Sequence, residues 1–196
     1  MQKTIVPILL LALLAMGPGC KHHREGSSAG FELRVDAGNS ASYKDLNGKI
    51  WEQDREYGRE GYGFVRSYGD KVDRGWSAKI AGTDEPRIYQ TEHWGVERFA
   101  AEVPDGRYRV ILHFAETWDG IDKEGPRVFD IKIENSEVLK GFDILKEAGA
   151  MHTAVTKEFR DIEVDDGKLD IRFIPRHQNP LINGIEIIGE PVTADR

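Results

Sequence analysis

A single cysteine, Cys20, stands among 196 residues, so no disulfide can form within one chain and the fold must hold by packing alone. A basic stripe is also missing. The 27 Lys and Arg are outnumbered by 34 Asp and Glu, giving a net charge of −7. That balance argues against a nucleic-acid partner and against electrostatic attachment to an anionic membrane. Long apolar runs are absent after residue 14, and the one early run, Ile5 to Leu14 around Pro7, is shorter than the roughly 20 residues of an ordinary membrane span. No segment keeps a helical period beyond one or two turns, expected at 143–150, and no stretch repeats. The histidines His93, His113, His152 and His177 are scattered without an H-E-x-x-H spacing, so a catalytic metal is not expected. Gly58-Arg59-Glu60-Gly61-Tyr62-Gly63 has no helix pattern after it and reads as a loop, not a nucleotide site.

What the chain does have is period-two alternation, the mark of half-buried strands. Tyr108, Val110, Leu112 and Phe114 face one way in 107–115; so do Phe129, Ile131 and Ile133 in 127–133, and Leu169, Ile171 and Phe173 in 168–174. Further strands are expected at 31–37, 97–103, 157–164 and 181–188. Pro104-Asp105-Gly106, Asn135-Ser136, Gly125-Pro126 and Asp165-Asp166-Gly167 supply turns between them. Evenly spaced short strands predict one all-β domain, an antiparallel β-sandwich of jelly-roll type. Residues 44–84 break the pattern. They are rich in Gly, Tyr, Asp and Arg, carry Trp51 and Trp76, and predict an ordered, irregular loop layer over one end of the sandwich.

The N-terminal twenty residues read as a processing segment outside the fold. Lys3 precedes the apolar run, and small residues lead to Cys20 directly after Gly19. This arrangement resembles a bacterial lipoprotein signal, which implies lipidation of Cys20; an ordinary secretory signal with an unpaired cysteine is the alternative. Residues 21–30 are polar and read as a flexible tether, with His22 and His23 as solvated linker residues. The folded domain is then 31–190, followed by a short tail, 191–196. The expected location is exported, anchored to the membrane through an N-terminal lipid only, on the periplasmic or extracellular face.

Two tryptophans, Trp94 and Trp118, are expected at strand ends, each shortly after a glutamate. Indoles there either seal a core edge or stack on flat apolar ligand faces such as sugar rings, with nearby polar side chains bonding the hydroxyls. Glu92 and Glu116 admit two readings as well. They could form the carboxylate pair of a small glycoside-processing enzyme, or they could hold the turns by bonding loop amides. The second is preferred. Asp130 is expected to be solvated or to anchor a loop, and Asp36 to bond loop backbone near the first strand. Asp119, Asp122 and Glu124 are close enough in sequence to admit a structural calcium; no other cofactor is expected.

An ordered set of strings resembles the malectin-type carbohydrate-binding family. It begins with Arg34-Val35-Asp36-Ala37-Gly38, Trp51-Glu52-Gln53-Asp54 and Ile80-Ala81-Gly82-Thr83-Asp84. It continues through Tyr89-Gln90-Thr91-Glu92, Val103-Pro104-Asp105-Gly106 and Leu112-His113-Phe114-Ala115-Glu116. It closes with Arg127-Val128-Phe129-Asp130-Ile131, Phe142-Asp143-Ile144 and Asn183-Gly184-Ile185-Glu186-Ile187. The resemblance implies a galactose-binding-like jelly roll, non-catalytic, with an aromatic sugar site in the loops at one end and an oligosaccharide or polysaccharide as partner. It also implies site residues. Trp94 stands at a ligand tyrosine of the animal protein, Trp118 and Asp119 at a Tyr-Phe pair, and Gln178, before Asn179-Pro180, at an aspartate. A ligand tyrosine in the first long loop corresponds to Tyr62, although Tyr57 and Tyr68 also precede glycines. A structural domain that binds another protein remains a third reading.

Overall fold

The computed structural model describes residues 28–58 and 61–190. Cys20, its signal segment, most of the tether and the 191–196 tail lie outside them. The alternating segments form two sheets with their apolar faces together. In β8 (Gly106–Phe114) the residues Tyr108, Val110, Leu112 and Phe114 are fully buried. Opposite them, β9 (Val128–Ile133) buries Phe129, Ile131 and Ile133, and β12 (Lys168–His177) buries Leu169, Ile171 and Phe173. Every expected core position is therefore in the core. Phe114, Phe129 and Phe142 meet there, with Phe129 and Phe142 edge to face at 5.4 Å.

The first sheet has six strands in the order β11 (Val155–Val164), β8, β14 (Gly184–Glu190), β1 (Glu32–Asp36), β3 (Ile50–Gln53) and β2 (Tyr43–Lys44). The second has five: β10 (Ser136–Phe142), β9, β12, β7 (Val96–Glu102) and β4 (Tyr62–Ser67). The sandwich is thus antiparallel except at one seam, where β1 and β3 run parallel over Val35↔Glu52 and Asp36↔Gln53. Among the described residues helix is confined to two short pieces. One is α1 (Arg87–Gln90), after Pro86. The other is α2 (Ile144–Ala148), capped by the Asp143 carboxylate accepting from the Lys146 amide at 3.1 Å and closed by left-handed Gly149.

Residues 44–84 depart from the irregular layer expected of them. They contain the second residue of β2, all of β3 and β4, and β5 (Lys71–Asp73). The sequence hides these strands for a physical reason. β3 takes its pairing from β1, and β4 alternates cleanly only across Tyr62-Gly63-Phe64 before its register against β7 shifts. Distant partners, not local pattern, make these segments extended.

A third, three-stranded sheet fixes the functional end of the molecule: β13 (Leu181–Ile182), β6 (Thr91–Trp94) and β5. Each of its strands leads directly to or from a sandwich strand. β4 passes to β5 through residues 68–70, β6 passes to β7 through Gly95, and β13 passes to β14 through Asn183. The small sheet therefore lies at the end where β4 and β12 finish and β7 and β14 begin. The 115–127 loop leaves β8 and enters β9 at the same end, since Val128 pairs with His177 of β12.

Candidate functional site

Alternation within the small sheet gives it two unlike faces. The pairs Lys71↔His93 and Asp73↔Thr91 put four polar side chains on one face. That face is a polar network, buried at Thr91 and His93 and open to solvent at Lys71 and Asp73. His93 Nδ1 lies 2.6 Å from Asp54 Oδ2, Lys71 Nζ lies 3.0 Å from Asp54 Oδ1, and Arg87 binds both oxygens of Asp73. Thr91 donates its hydroxyl to Asp36, whose other oxygen accepts from the Asn39 amide at 2.8 Å. Asp36 thus anchors side chains of neighbouring segments rather than loop backbone.

The other face carries Val72, Glu92 and Trp94, and it forms one wall of a cavity of about 420 Å³. Arg74, just past β5, extends this wall. The facing side comes from Trp118 and Arg127 of the 115–127 loop and from Gln178 and Asn179 between β12 and β13. The dimensions suit a ligand of one or two rings.

Each aromatic is seated by a glycine. The Trp94 indole packs on the 68–70 turn so closely that a Cβ at Gly69 would lie 2.6 Å from its ring atoms. Trp94 also leans on the main core and is only partly exposed. The Trp118 indole folds over Gly120, where a Cβ would lie 2.5 Å from the ring. Trp118 remains 44% exposed. Trp94 closes β6, while Trp118 stands four residues beyond β8 with β7 between those two strands, so the two are not the ends of consecutive strands.

Below the indoles lie two carboxylate–guanidinium pairs. Glu92 accepts from Arg74 Nη2 at 2.9 Å and from the Thr117 hydroxyl at 2.5 Å. Glu116 accepts from Arg127 Nε at 2.7 Å and from the Trp118 amide at 3.2 Å. Burial pushes the Glu116 carboxyl above its ordinary range, and Arg127 opposes the shift. Arg127 also donates from Nη1 to the Asn179 carbonyl, which ties the 115–127 loop to the 178–180 link. Gln178, in that link, is held at φ 50°, a left-handed conformation uncommon for a residue other than glycine. The preferred reading of the glutamates needs one change. Only Glu116 bonds a loop amide; Glu92 is held by side chains.

Of the expected site residues, the fold brings together Trp94, Trp118, Gln178 and Asn179 and leaves out two. Tyr62 lies in β4, an edge strand of the five-stranded sheet, paired opposite Ala101, packed into the core and 8% exposed. Its hydroxyl donates to the Gln53 carbonyl at 3.2 Å, and the Arg55 guanidinium lies 3.6 Å above its ring. Tyr57 and Tyr68 do not line the cavity either. Asp119 points to solvent, 97% exposed, with His152 Nε2 at 3.9 Å. Among the described residues no three of His, Cys, Asp and Glu converge as metal ligands, Asp119, Asp122 and Glu124 included. Asp130 is buried and anchors strands rather than a loop, accepting from the Gly141 amide of β10 at 2.8 Å and from Arg176 of β12. Sequence reasoning missed Val72, Arg74 and Arg127 as wall residues. Arg127 opens one of the quoted strings, but Arg74 sits among many charged residues and nothing in the sequence sets it apart.

A β-sandwich with a small sheet and two loops enclosing an indole-walled cavity at one end is the architecture of a binding module. The particular family follows from comparison: residues 31–194 match the Malectin domain, and the chain belongs to that family of carbohydrate-binding modules. It is 32% identical to Malectin of Mus musculus over 176 residues, covering 84% of this chain and 56% of that protein. To Malectin of Homo sapiens it is 29% identical over 185 residues, covering 87% and 60%. The chain thus spans little more than half the length of these curated relatives. In structure it is similar to a β-glucuronidase of Bacteroides uniformis, with TM-score 0.72, 23% identity and cover of 82% of this chain but 18% of that one. The ANXUR2 extracellular domain of Arabidopsis thaliana gives TM-score 0.66 at 19% identity, covering 80% and 48%. Both likenesses concern the fold. Among the described residues no helix is long and apolar enough to cross a membrane.

Proposed function

We propose that this chain is an exported, lipid-anchored and non-catalytic glycan-binding module whose ligand occupies the cavity between Trp94 and Trp118. The observation that carries the proposal is two indoles facing one cavity of about 420 Å³, with the amide side chains of Gln178 and Asn179 at its edge. Pyranose faces stack on indoles, and amides exchange paired hydrogen bonds with adjacent hydroxyls. Two features support the non-catalytic reading. Every carboxylate oxygen of Glu92 and Glu116 already has a donor, and both groups are buried beneath guanidinium partners. A glycosidase acid must instead reach the glycosidic oxygen.

Affinity should be modest, with Kd about 10 μM to 1 mM, because a half-open, wet site returns little net free energy. The test is titration of the folded domain with an array of soluble glycans, reading tryptophan fluorescence and heat, then product analysis on each glycan that binds. Saturable binding with an intact ligand fits the proposal. Shorter sugars that vanish in Glu116→Gln would replace it with the enzyme reading. The anchor rests on Cys20 after Gly19 at the end of the apolar run.

A further inference from the structure

The cavity is lopsided in its hydrogen-bonding chemistry. Its carboxylates are engaged: Glu92 with Arg74 and Thr117, Glu116 with Arg127 and the Trp118 amide. Its arginines have donors to spare. Arg74 uses Nε on the Thr117 hydroxyl and Nη2 on Glu92; Arg127 uses Nε on Glu116 and Nη1 on the Asn179 carbonyl. Among the described residues, Arg74 Nη1 and Arg127 Nη2 have no protein hydrogen bond, and neither is a buried orphan atom. The indole N–H groups of Trp94 and Trp118 have no protein acceptor either.

Exposure sharpens the asymmetry. The Arg74 side chain is 29% exposed, whereas the Glu92 side chain paired with it is 3% exposed; Arg127 is 6% exposed and sits deeper in the wall. Glu116 is 1% exposed and is not part of the wall. The surface presented to a ligand is therefore apolar rings, two neutral amides and the Arg74 guanidinium edge, with Arg127 deeper behind it and the one acid of the wall covered. Unused guanidinium N–H groups are matched best by a planar anion that accepts several hydrogen bonds. A neutral sugar hydroxyl would satisfy fewer of them.

We propose that the cavity selects an acidic glycan, one built from uronic acid units, with a sugar face on the indoles and a ring carboxylate accepting from Arg74 Nη1 and Arg127 Nη2. This rests on the glycan-binding reading above and narrows it to a substrate class. The carboxylate meets donors already held in place by Glu92 and Glu116, so little side-chain ordering remains to be done on binding.

The experiment compares like with like on the folded domain. Oligogalacturonate, oligomannuronate and hyaluronan oligosaccharides are each titrated beside their carboxyl-reduced counterparts, with neutral gluco-oligosaccharides as a third arm. At least one uronate series should bind tenfold or more tightly than its reduced form, and Trp118→Ala should weaken that binding. If reduced or neutral chains bind as well as or better than every uronate series, the acidic preference is wrong and the glycan site stands. If no chain in any arm binds, both the preference and the glycan site fail.

Discussion

At the residue scale the two tryptophans are not equivalent. Trp118 is 44% exposed on a loop, so Trp118→Ala removes a stacking surface without opening the core. The expected outcome is a loss of about 2 kcal/mol in glycan binding with a nearly unchanged Tm. Trp94 packs on the core and on Gly69, so Trp94→Ala should weaken binding and also cost about 2 kcal/mol of stability, less than a fully buried indole. Calorimetry and thermal melts on both variants check this; a Trp94→Ala protein with wild-type Tm would place that indole outside the core. Asp36 makes a different prediction. Burial pushes its carboxyl up to about 7, against the opposing bonds from Thr91 and Asn39. Protonation of the folded form is therefore favoured. Its contribution to stability is complete below about pH 4, where the unfolded chain is also protonated, and is lost as pH rises through about 7. The span corresponds to on the order of 4 kcal/mol. Asp73 and Asp130, held low by bonds from Arg87 and Arg176, give the opposite slope, and only as pH falls below about 4. Denaturant melts between pH 4 and 7 should show stability falling with pH in the wild type and a flatter profile in Asp36→Asn. Equal slopes would refute the assignment.

At the element scale the site depends on three short strands that cannot stand alone. β5, β6 and β13 have 3, 4 and 2 residues, and each is set by the sandwich strand beside it in the chain. The 68–70 turn packs tightly on β6, with a Gly69 Cβ only 2.1 Å from the Trp94 carbonyl oxygen. Gly69→Ala should therefore push β5 and the indole apart, at a cost of about 1 to 3 kcal/mol in stability, and weaken ligand binding several-fold. The binding change should exceed that of a substitution at Gly58, where a Cβ meets nothing within 4 Å. Thermal melts and fluorescence titration of the two alanine variants make the comparison.

At the scale of the whole molecule stability rests on the apolar layer between the two large sheets, since the lone cysteine can make no internal crosslink. Phe129→Ala or Phe173→Ala should each cost about 3 to 5 kcal/mol by urea denaturation, as losses of fully buried phenylalanines do. A cost near zero at both would mean the core closes around neither. The proposed attachment to the membrane concerns the N-terminal segment, which lies outside the described residues. Cys20→Ser should move the protein from the membrane to the soluble fraction of a bacterial host and abolish any added lipid mass. A wild-type protein that is already soluble, with an unmodified Cys20, would overturn the anchor.

The sequence by itself determined the sandwich. Long alternating runs such as Tyr108 to Phe114 and Leu169 to Phe173 have one apolar face each and no other way to bury it, so their facing and their turns were readable residue by residue. It also pointed to Trp94 and Trp118, indoles shortly after glutamates near strand ends, while Gln178 and Asn179 came from their place in the family resemblance. Only the tertiary structure decided the rest. Tyr62 faces inward because β4 pairs with β7, a partnership of residues far apart in the chain. Arg74 and Arg127 reach the cavity because the third sheet and the 115–127 loop converge at one end. Alternation is local and survives in the sequence. A cavity is made by segments that meet only after folding, and no local pattern records which of their charged residues will face it.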